Sequence, residues 1–421
     1  MAGMTKRIEV EACVMGAGPV GATLAATLAA AGLEVAVVDT APLPPMERPE
    51  FDGRAYAIAA SSHNLLEAAG IWARLPDEPC PITRIRVADG RPGEPASPLD
   101  LHFDAADLGE PAFGWMVEAR SLRVALNAAL PGLPRLHVFA PAQPTVTRTA
   151  EGALVALADG TEIAARLVVG AEGRRSPLRR AAGIGTAGLD YHQTGMVFAI
   201  AHERPHGNLA LEQFLPNGPF AQLPLAGTPE HPHASAIVWS DRSPLAARFM
   251  AMDDAALSRE ILRRLGSHLG AVRVIGRRWS YPLTAMQAAR FVDTRLALVG
   301  DAAHGIHPIA GQGLNLGFRD VAALAECAIE AHHAGQDPGS VEVLARYQAA
   351  RRPDALLMLG ATHALERLFG NDLPPLRLAR RLGIAAVDRL PPLKRFFARR
   401  AMGFSGGPLS GLLEGRGLIA P

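Results

Sequence analysis

Cysteine, lysine and net charge are all scarce in this chain of 421 residues. Its three cysteines, Cys13, Cys80 and Cys327, lie far apart with no C-x-x-C pair. That spacing argues against a disulfide scaffold and a cysteine-built zinc site, and it fits a reducing compartment. Lysine occurs only as Lys6 and Lys394, so 40 of the 42 basic residues are arginine. A GC-rich genome accounts for that bias without a functional reading. The 42 basic side chains face 41 acidic ones, for a net charge of +1. This balance removes the electrostatic case for nucleic acid as a partner. No long apolar segment precedes a cleavage-type site near the N-terminus, so secretion is not expected and a cytoplasmic location is. Residues 12–33 are uncharged and long enough for a membrane span, but Gly16, Gly18, Pro19 and Gly21 interrupt them. A strand, turn and helix explain that stretch better. What remains is ordinary globular composition, 49% hydrophobic and 20% charged, in a chain long enough for two domains.

Two glycine-rich segments carry the chemistry. Residues 8–15 read as a strand, Gly16-Ala17-Gly18-Pro19-Val20-Gly21 as a turn into an Ala/Leu-rich helix, and residues 33–38 as a second strand ending in Asp39. This is G-x-G-x-x-G inside a complete β-α-β unit. Its acid lies 18 positions after the last glycine, where a ribose hydroxyl is expected. The fingerprint alone suits NAD or FAD.

The second segment decides between them. An apolar strand over residues 296–299 runs into Gly300-Asp301, and a carboxylate there suits a ribityl or ribose hydroxyl. Asp301 also fits as a helix N-cap before Ala302. Gly311-Gln312-Gly313-Leu314-Asn315 then opens a helix. Its glycines allow a ligand close to the backbone, and its free N–H groups attract negative charge. A flavin needs a carboxylate for its ribityl chain and a positive dipole beside N1 and the O2 carbonyl, where the reduced ring is anionic. A nicotinamide site has no use for a second carboxylate strand. FAD is the expected cofactor, held by Gly16, Gly18, Pro19, Val20, Gly21, Asp39, Gly300, Asp301, Gly311, Gly313, Leu314 and Asn315. No second β-α-β fingerprint occurs, so a nicotinamide donor would visit without its own domain.

Several further segments give the sequence a family likeness: 52–58 (Asp-Gly-Arg-Ala-Tyr-Ala-Ile), 167–176 (Leu-Val-Val-Gly-Ala-Glu-Gly-Arg-Arg-Ser), 214–225 and 307–317. With the fingerprint, they make the chain resemble the flavoprotein aromatic hydroxylases of the p-hydroxybenzoate hydroxylase type. Within these it is most similar to the ubiquinone-biosynthesis hydroxylases. The resemblance implies an FAD-dependent monooxygenase that takes hydride from NADH or NADPH. Dioxygen would add at C4a of the reduced ring, and the hydroperoxide would pass its distal oxygen to a phenolic ring. The implied substrate is a polyprenyl phenol or quinone precursor. The resemblance places Arg54 near FAD, and Arg120, where many relatives carry Asn or Gln, fits a bidentate donor to the pyrophosphate. Pro308 would shape the active site rather than act as acid or base, and no side-chain acid or base is assigned. Glu172 stands where the family usually has Asp. Phe220, Leu223 and Trp239 are the candidate substrate residues. Two other readings stay open: hydroxylation of a soluble aromatic compound, and a non-catalytic flavin-binding component of a biosynthetic complex.

The expected fold class is α/β. A Rossmann-like FAD-binding domain would be discontinuous (1–80, 105–189 and 283–340). A second, antiparallel-sheet substrate domain would take 81–104 and 190–282, and residues 341–421 would form a helical C-terminal segment. Strands are expected at 196–201, 210–215, 221–224 and 234–239, with a helix over 255–269. His304 and His307 have i, i+3 spacing but no evident third metal ligand, so packing roles are expected. Gly403-Phe404-Ser405-Gly406-Gly407 matches G-x-S-x-G but lacks the strand before and helix after that a nucleophile elbow needs. Residues 376–400 carry eight basic residues against Asp388, interleaved with apolar ones. They suit either an amphipathic surface on the inner membrane or a partner, or a solvated cover.

Overall fold

The computed structural model describes residues 6–43, 52–94, 100–307, 311–369, 383, 386–404, 407 and 409–418. The chain opens as β1 (Arg7–Met15), α1 (Pro19–Ala30) and β2 (Val35–Val38). The end of β1 and all of β2 are buried. Such continuous apolar runs, without alternation, suit a parallel sheet covered on both faces. Next come β3 (Ala55–Ala59), α2 (Ala60–Ala68), β4 (Cys80–Ile82), β5 (Arg84–Asp89), β6 (Leu101–Asp104), β7 (Gly114–Glu118) and α3 (Ala119–Ala129). β8 (Leu136–Phe139), β9 (Pro144–Arg148), β10 (Ala153–Leu157), β11 (Glu162–Gly170) and α4 (Pro177–Ala181) follow. The middle of the chain forms β12 (Thr186–His202), β13 (Leu209–Leu215), β14 (Gly218–Leu225), β15 (Ala234–Arg242), α5 (Ser243–Met250), α6 (Asp254–Leu265) and β16 (Val272–Ala288). The remaining elements are β17 (Val292–Asp293), β18 (Leu296–Leu298), β19 (His304–Gly305), α7 (Gln312–His333), α8 (Val341–Phe369) and α9 (Pro391–Ala401).

These strands build three sheets. The first has the order β17-β18-β11-β1-β2-β8, with β10 and β9 as an arm on β11. From β18 to β8 its strands are parallel. α1 packs on it, α7 packs against α1, and α7 is buried almost throughout. The two helices approach closely because Gly317 has no side chain: a Cβ there would stand 2.8 Å from Val20 Cγ2.

The second sheet has the order β19-β16-β12-β15-β14-β13-β5-β6 and is antiparallel except for β13 on β5. It draws strands from 84–104 and from 186–288, with the short β19 (304–305) at one edge, and its long strands β12 and β16 run through positions 190 and 283. The third sheet, β3-β7-β4, is small. α6 ends at Leu265, earlier than the sequence suggests, because Gly266 breaks it at φ 74°. β16 is unanticipated. Its exposed Arg277 and Ser280 interrupt the apolar alternation that marks a half-buried strand. Among the described residues no helix is long and apolar enough to cross a membrane.

Candidate functional site

The C-terminal ends of β1, β2, β11 and β18 converge on one cleft of about 1370 Å³. Open parallel sheets bind ligands at this edge. The β1–α1 turn forms one end. Gly16 leaves β1 at φ 100°, and a Cβ there would meet Ala171 O at 2.7 Å. Gly18 opens on space, since a Cβ would find nothing within 4 Å. Gly21 does not line the cleft. A Cβ on it would fall 1.9 Å from Gly16 O, so its role is to let α1 pack on its own turn. α1 begins without a side-chain cap, which leaves its first N–H groups for an anion. Asp39 accepts from Ala17 N at 2.7 Å and from Ala41 N at 2.8 Å. A carboxylate has about four acceptor sites, so Asp39 braces the turn and still has capacity for a hydroxyl. Arg123 Nη1 donates to Ala17 O at 2.8 Å, a brace the sequence reading missed.

The other end is the turn after β18. Gly300 (φ 58°) packs against Val20 and donates its N–H to Asp320 Oδ2 at 2.9 Å. Asp320 is wholly buried and also receives His304 Nε2 at 2.6 Å and Arg351 Nε at 2.8 Å. Burial would raise its pKa, but the neighbouring His304 and Arg351 outweigh it and hold the carboxyl below its ordinary value. Residues 300–302 form a 3-10 turn rather than an α-helix, so Asp301 caps no helix. Its side chain, 51% exposed, pairs with Arg174 at 3.1 Å, and Arg174 Nη1 is fixed by Thr284 Oγ1 at 2.7 Å. α7 starts at Gln312 behind Gly311 (φ 63°), again without a side-chain cap. Gly311, Gly313 and Leu314 face the cleft.

Ten of the expected cofactor residues therefore share one wall: Gly16, Gly18, Pro19, Val20, Asp39, Gly300, Asp301, Gly311, Gly313 and Leu314. Asn315 does not join them. Its Oδ1 accepts from Ala59 N and its Nδ2 donates to Ala57 O, so a buried carboxamide pins β3 to α7. Arg54 and Arg120 are likewise absent from the wall. Arg54 pairs with Asp52 at 2.6 Å and lies over the Trp279 ring, and Arg120 pairs with Glu118 at 2.5 Å. Pro308 and Ser405 lie outside the described residues.

On the substrate side the sequence reading took the wrong face for two residues. Phe220 and Trp239 are opposed across β14 and β15 and enter a core with Phe198 and Ile261. Successive strand residues point to opposite faces, so Leu223, Val238 and Val197 face the cleft instead. Glu172 reaches the wall but serves locally: it accepts from Ser176 Oγ and from Leu178 N, which fixes the start of α4. Burial raises its pKa despite those bonds. Arg174, Arg175, Tyr56 and Tyr281 also line the cleft, and none has a role assigned from sequence. The signal for Arg174 and Arg175 was their place in the 167–176 segment. His307 is buried, donates from Nε2 to Gln193 Oε1 at 3.1 Å, and has its pKa pushed down to about 4 by burial. Among the described residues no group of His, Cys, Asp and Glu could hold a metal ion.

Two uncapped helix starts, two glycine-opened turns and a carboxylate at each end make a cradle that fits a dinucleotide flavin. Fold and cleft together define a flavin-dependent oxidoreductase. Residues 9–361 match the FAD binding domain family model. The chain is 49% identical over 391 residues to ubiquinone hydroxylase UbiL of Rhodospirillum rubrum, covering 93% of this chain and 89% of that protein. It is 36% identical over 406 residues to 3-demethoxyubiquinol 3-hydroxylase of Escherichia coli, covering 93% and 98%. The crystal structure of p-nitrophenol 4-monooxygenase PnpA from Pseudomonas putida DLL-E4 matches with a TM-score of 0.73 at 19% identity, covering 96% and 100%, and supports the fold. The chain belongs to the FAD-binding flavoprotein hydroxylases, in the group that includes the ubiquinone hydroxylases, and is an FAD-dependent monooxygenase.

Proposed function

We propose that this monooxygenase hydroxylates the ring of a polyprenyl phenol or quinone precursor in ubiquinone biosynthesis, using dioxygen and NADH or NADPH. The observation that carries the reading is the apolar roof of Val197, Leu223 and Val238 over a cleft whose floor is a flavin cradle. The relatives named for ubiquinone chemistry, at 49% and 36% identity, support the substrate class. Bound FAD supplies the activation of dioxygen and the electrophilic oxygen atom. The chain supplies the rest. The first turn of α1, open at Gly18, would take the pyrophosphate, and Asp39 the adenosine ribose. Gly300 and Asp301 would take the ribityl chain. The start of α7, with Gly311, Gly313 and Leu314, would set its dipole beside the N1–O2 edge and favour the anionic reduced ring. Pro308 would border the substrate, and the apolar roof would exclude water. In this scheme residues 1–80, 105–189 and 283–340 bind FAD, residues 81–104 and 190–282 bind substrate, and residues 341–421 are the C-terminal segment.

The direct test is to delete the gene and identify the lipids that accumulate. A prenylated phenol lacking one ring oxygen is the expected product, and an unchanged quinone profile would overturn the reading.

The same proposal brings the enzyme to a lipid surface. Leu390, Phe396 and Phe397 on and before α9 are 44–52% exposed, and Arg395, Arg399 and Arg400 stand among them. Basic residues near an anionic bilayer contribute about 1 kcal/mol each, screened by salt. Wild type should co-sediment with anionic liposomes at low salt. The triple Gln variant of Arg395, Arg399 and Arg400 should not. Equal sedimentation of both would contradict membrane docking.

A further inference from the structure

Glu212 lies mid-way along β13, where the fold has no use for a carboxyl. Along this strand Leu211 and Leu215 enter the core that holds Phe220 and Trp239. Ala210 and Phe214 enter the opposite layer, with Phe103, Phe113 and Met116. Glu212 shares the parity of Ala210 and Phe214, so its side chain projects into that second layer.

Strand register links Glu212 to the cleft. Val197 is opposite Val238, Val238 opposite Ala221, Ala221 opposite Glu212, and Glu212 opposite Val87. Residues opposed in this way share one face of a sheet. Val197 and Val238 line the cleft, so Glu212 stands in their row, two strands on from Val238 and roughly 10 Å away. Leu223, Ala55 and Ala57 belong both to the cleft wall and to the apolar layer around Glu212. The layer therefore borders the cleft at these three residues, and Ala221 and Glu212 lie behind its lining.

Other enclosed carboxyls are engaged: Asp320 with Arg351, Glu172 with Ser176, and Glu326 with Leu412 N. Glu212 has no hydrogen-bond or ion-pair partner among the described residues. Its side chain stays partly accessible. Burial pushes its pKa up to about 8. At neutral pH it is then mostly a neutral carboxylic acid, able both to donate and to accept. An apolar residue would suit this layer better, because a polar group with no protein partner is unfavourable where water reaches it only in part.

We propose that Glu212 binds the ring hydroxyl of the aromatic substrate, and so fixes the ring in the cleft and selects a phenol over its ether. This rests on the phenolic-lipid reading above. A site built around an unpaired polar group discriminates strongly against an analogue that cannot pair with it.

The test uses the FAD-loaded protein without nicotinamide, so that nothing turns over. The probes are 2-prenylphenol and its O-methyl ether, with binding read from the change in flavin absorbance. Wild type should bind the phenol roughly tenfold more tightly than the ether, the equivalent of one hydrogen bond. Glu212→Leu should bind both about equally, with no loss of affinity for the ether. Glu212→Gln, whose amide donates and accepts, should keep most of the preference. If Glu212→Leu fails to hold FAD, Glu212→Met takes its place with the same expectation. A full phenol preference in the Leu or Met variant would overturn the assignment while leaving the substrate reading intact. If wild type binds neither probe, the phenolic-lipid reading falls and this proposal falls with it.

Discussion

The two ends of the cleft reach the same result by different means. The β1–α1 end is local: within 24 residues, from Gly16 to Asp39, the chain supplies its own turn, its own helix start and its own carboxylate. Ala17 N and Asp39 even bond each other. The Gly300–α7 end is assembled from distant parts. Gly300 hangs from Asp320, Asp320 from His304 on β19 and Arg351 on α8, and Asp301 from Arg174. Asn315 ties α7 to β3, more than 250 positions away in sequence. A local site depends on backbone shape. A remote site depends on buried charge, which the solvent can titrate.

The largest expected effect breaks the local end. Gly21→Val puts a side chain where Gly16 O already stands, 1.9 Å from the ideal Cβ. Backbone cannot yield cheaply, so the cost is about 3 kcal/mol or more. We expect a colourless, less stable protein by visible spectrum and thermal melt. Gly18→Ala sharpens the point. Its Cβ meets no protein atom, so the melt should hold while FAD retention falls. Equal melts for the two variants would contradict the division of labour between these glycines.

The next effect breaks the remote end through its charge. Asp320→Asn leaves Arg351 and His304 facing an uncharged partner. Removing one member of a buried pair costs about 3–5 kcal/mol, and the low end applies here because Arg351 keeps Asp354 at 2.6 Å. The sign of the pH dependence follows from the depressed pKa. A carboxyl whose pKa is lower folded than unfolded stabilises the fold above its ordinary value and loses that contribution as pH falls below it. The stability gap between wild type and Asp320→Asn should stay constant at neutral pH and close on acidification below 3.8, the ordinary value. Denaturant melts at a series of pH values measure this gap. A gap that persists into acid would mean that His304 and Arg351 do not set the network.

The same contrast explains what could be read from the sequence. Spacing alone located the β-α-β unit, because its glycines and acid are close in the chain and each answers a backbone need. It also located Gly300, Asp301 and the start of α7, because strand and helix ends expose N–H groups wherever they occur. It misassigned Asn315, since nothing in the order of residues says that a carboxamide at a helix start will face a strand rather than a ligand. It misassigned Phe220 and Trp239, because composition reports that a strand is apolar but not which face meets the cleft. Register decides that, and register is set across strands. Arg54 and Arg120 carry the right charge, but nearby Asp52 and Glu118 engage them. The Asp320 network was invisible because its members are spread from residue 300 to residue 354.

In this arrangement the two ends of the cleft hold opposite ends of one FAD molecule. Titration of the apo-protein with FAD, for wild type, Asp39→Ala, Asp301→Ala and the double variant, tests it most directly. Each charged hydrogen bond contributes about 1.5–3 kcal/mol, or roughly tenfold to a hundredfold in affinity. Asp301 should lie near the low end because it is half exposed and already paired with Arg174. Contacts at separate parts of one ligand add, so the double variant should lose the product of the two single losses, with circular dichroism unchanged. A wild-type apo-protein that refuses FAD, or an Asp301→Ala variant with undiminished affinity, would show that the two ends do not share one FAD.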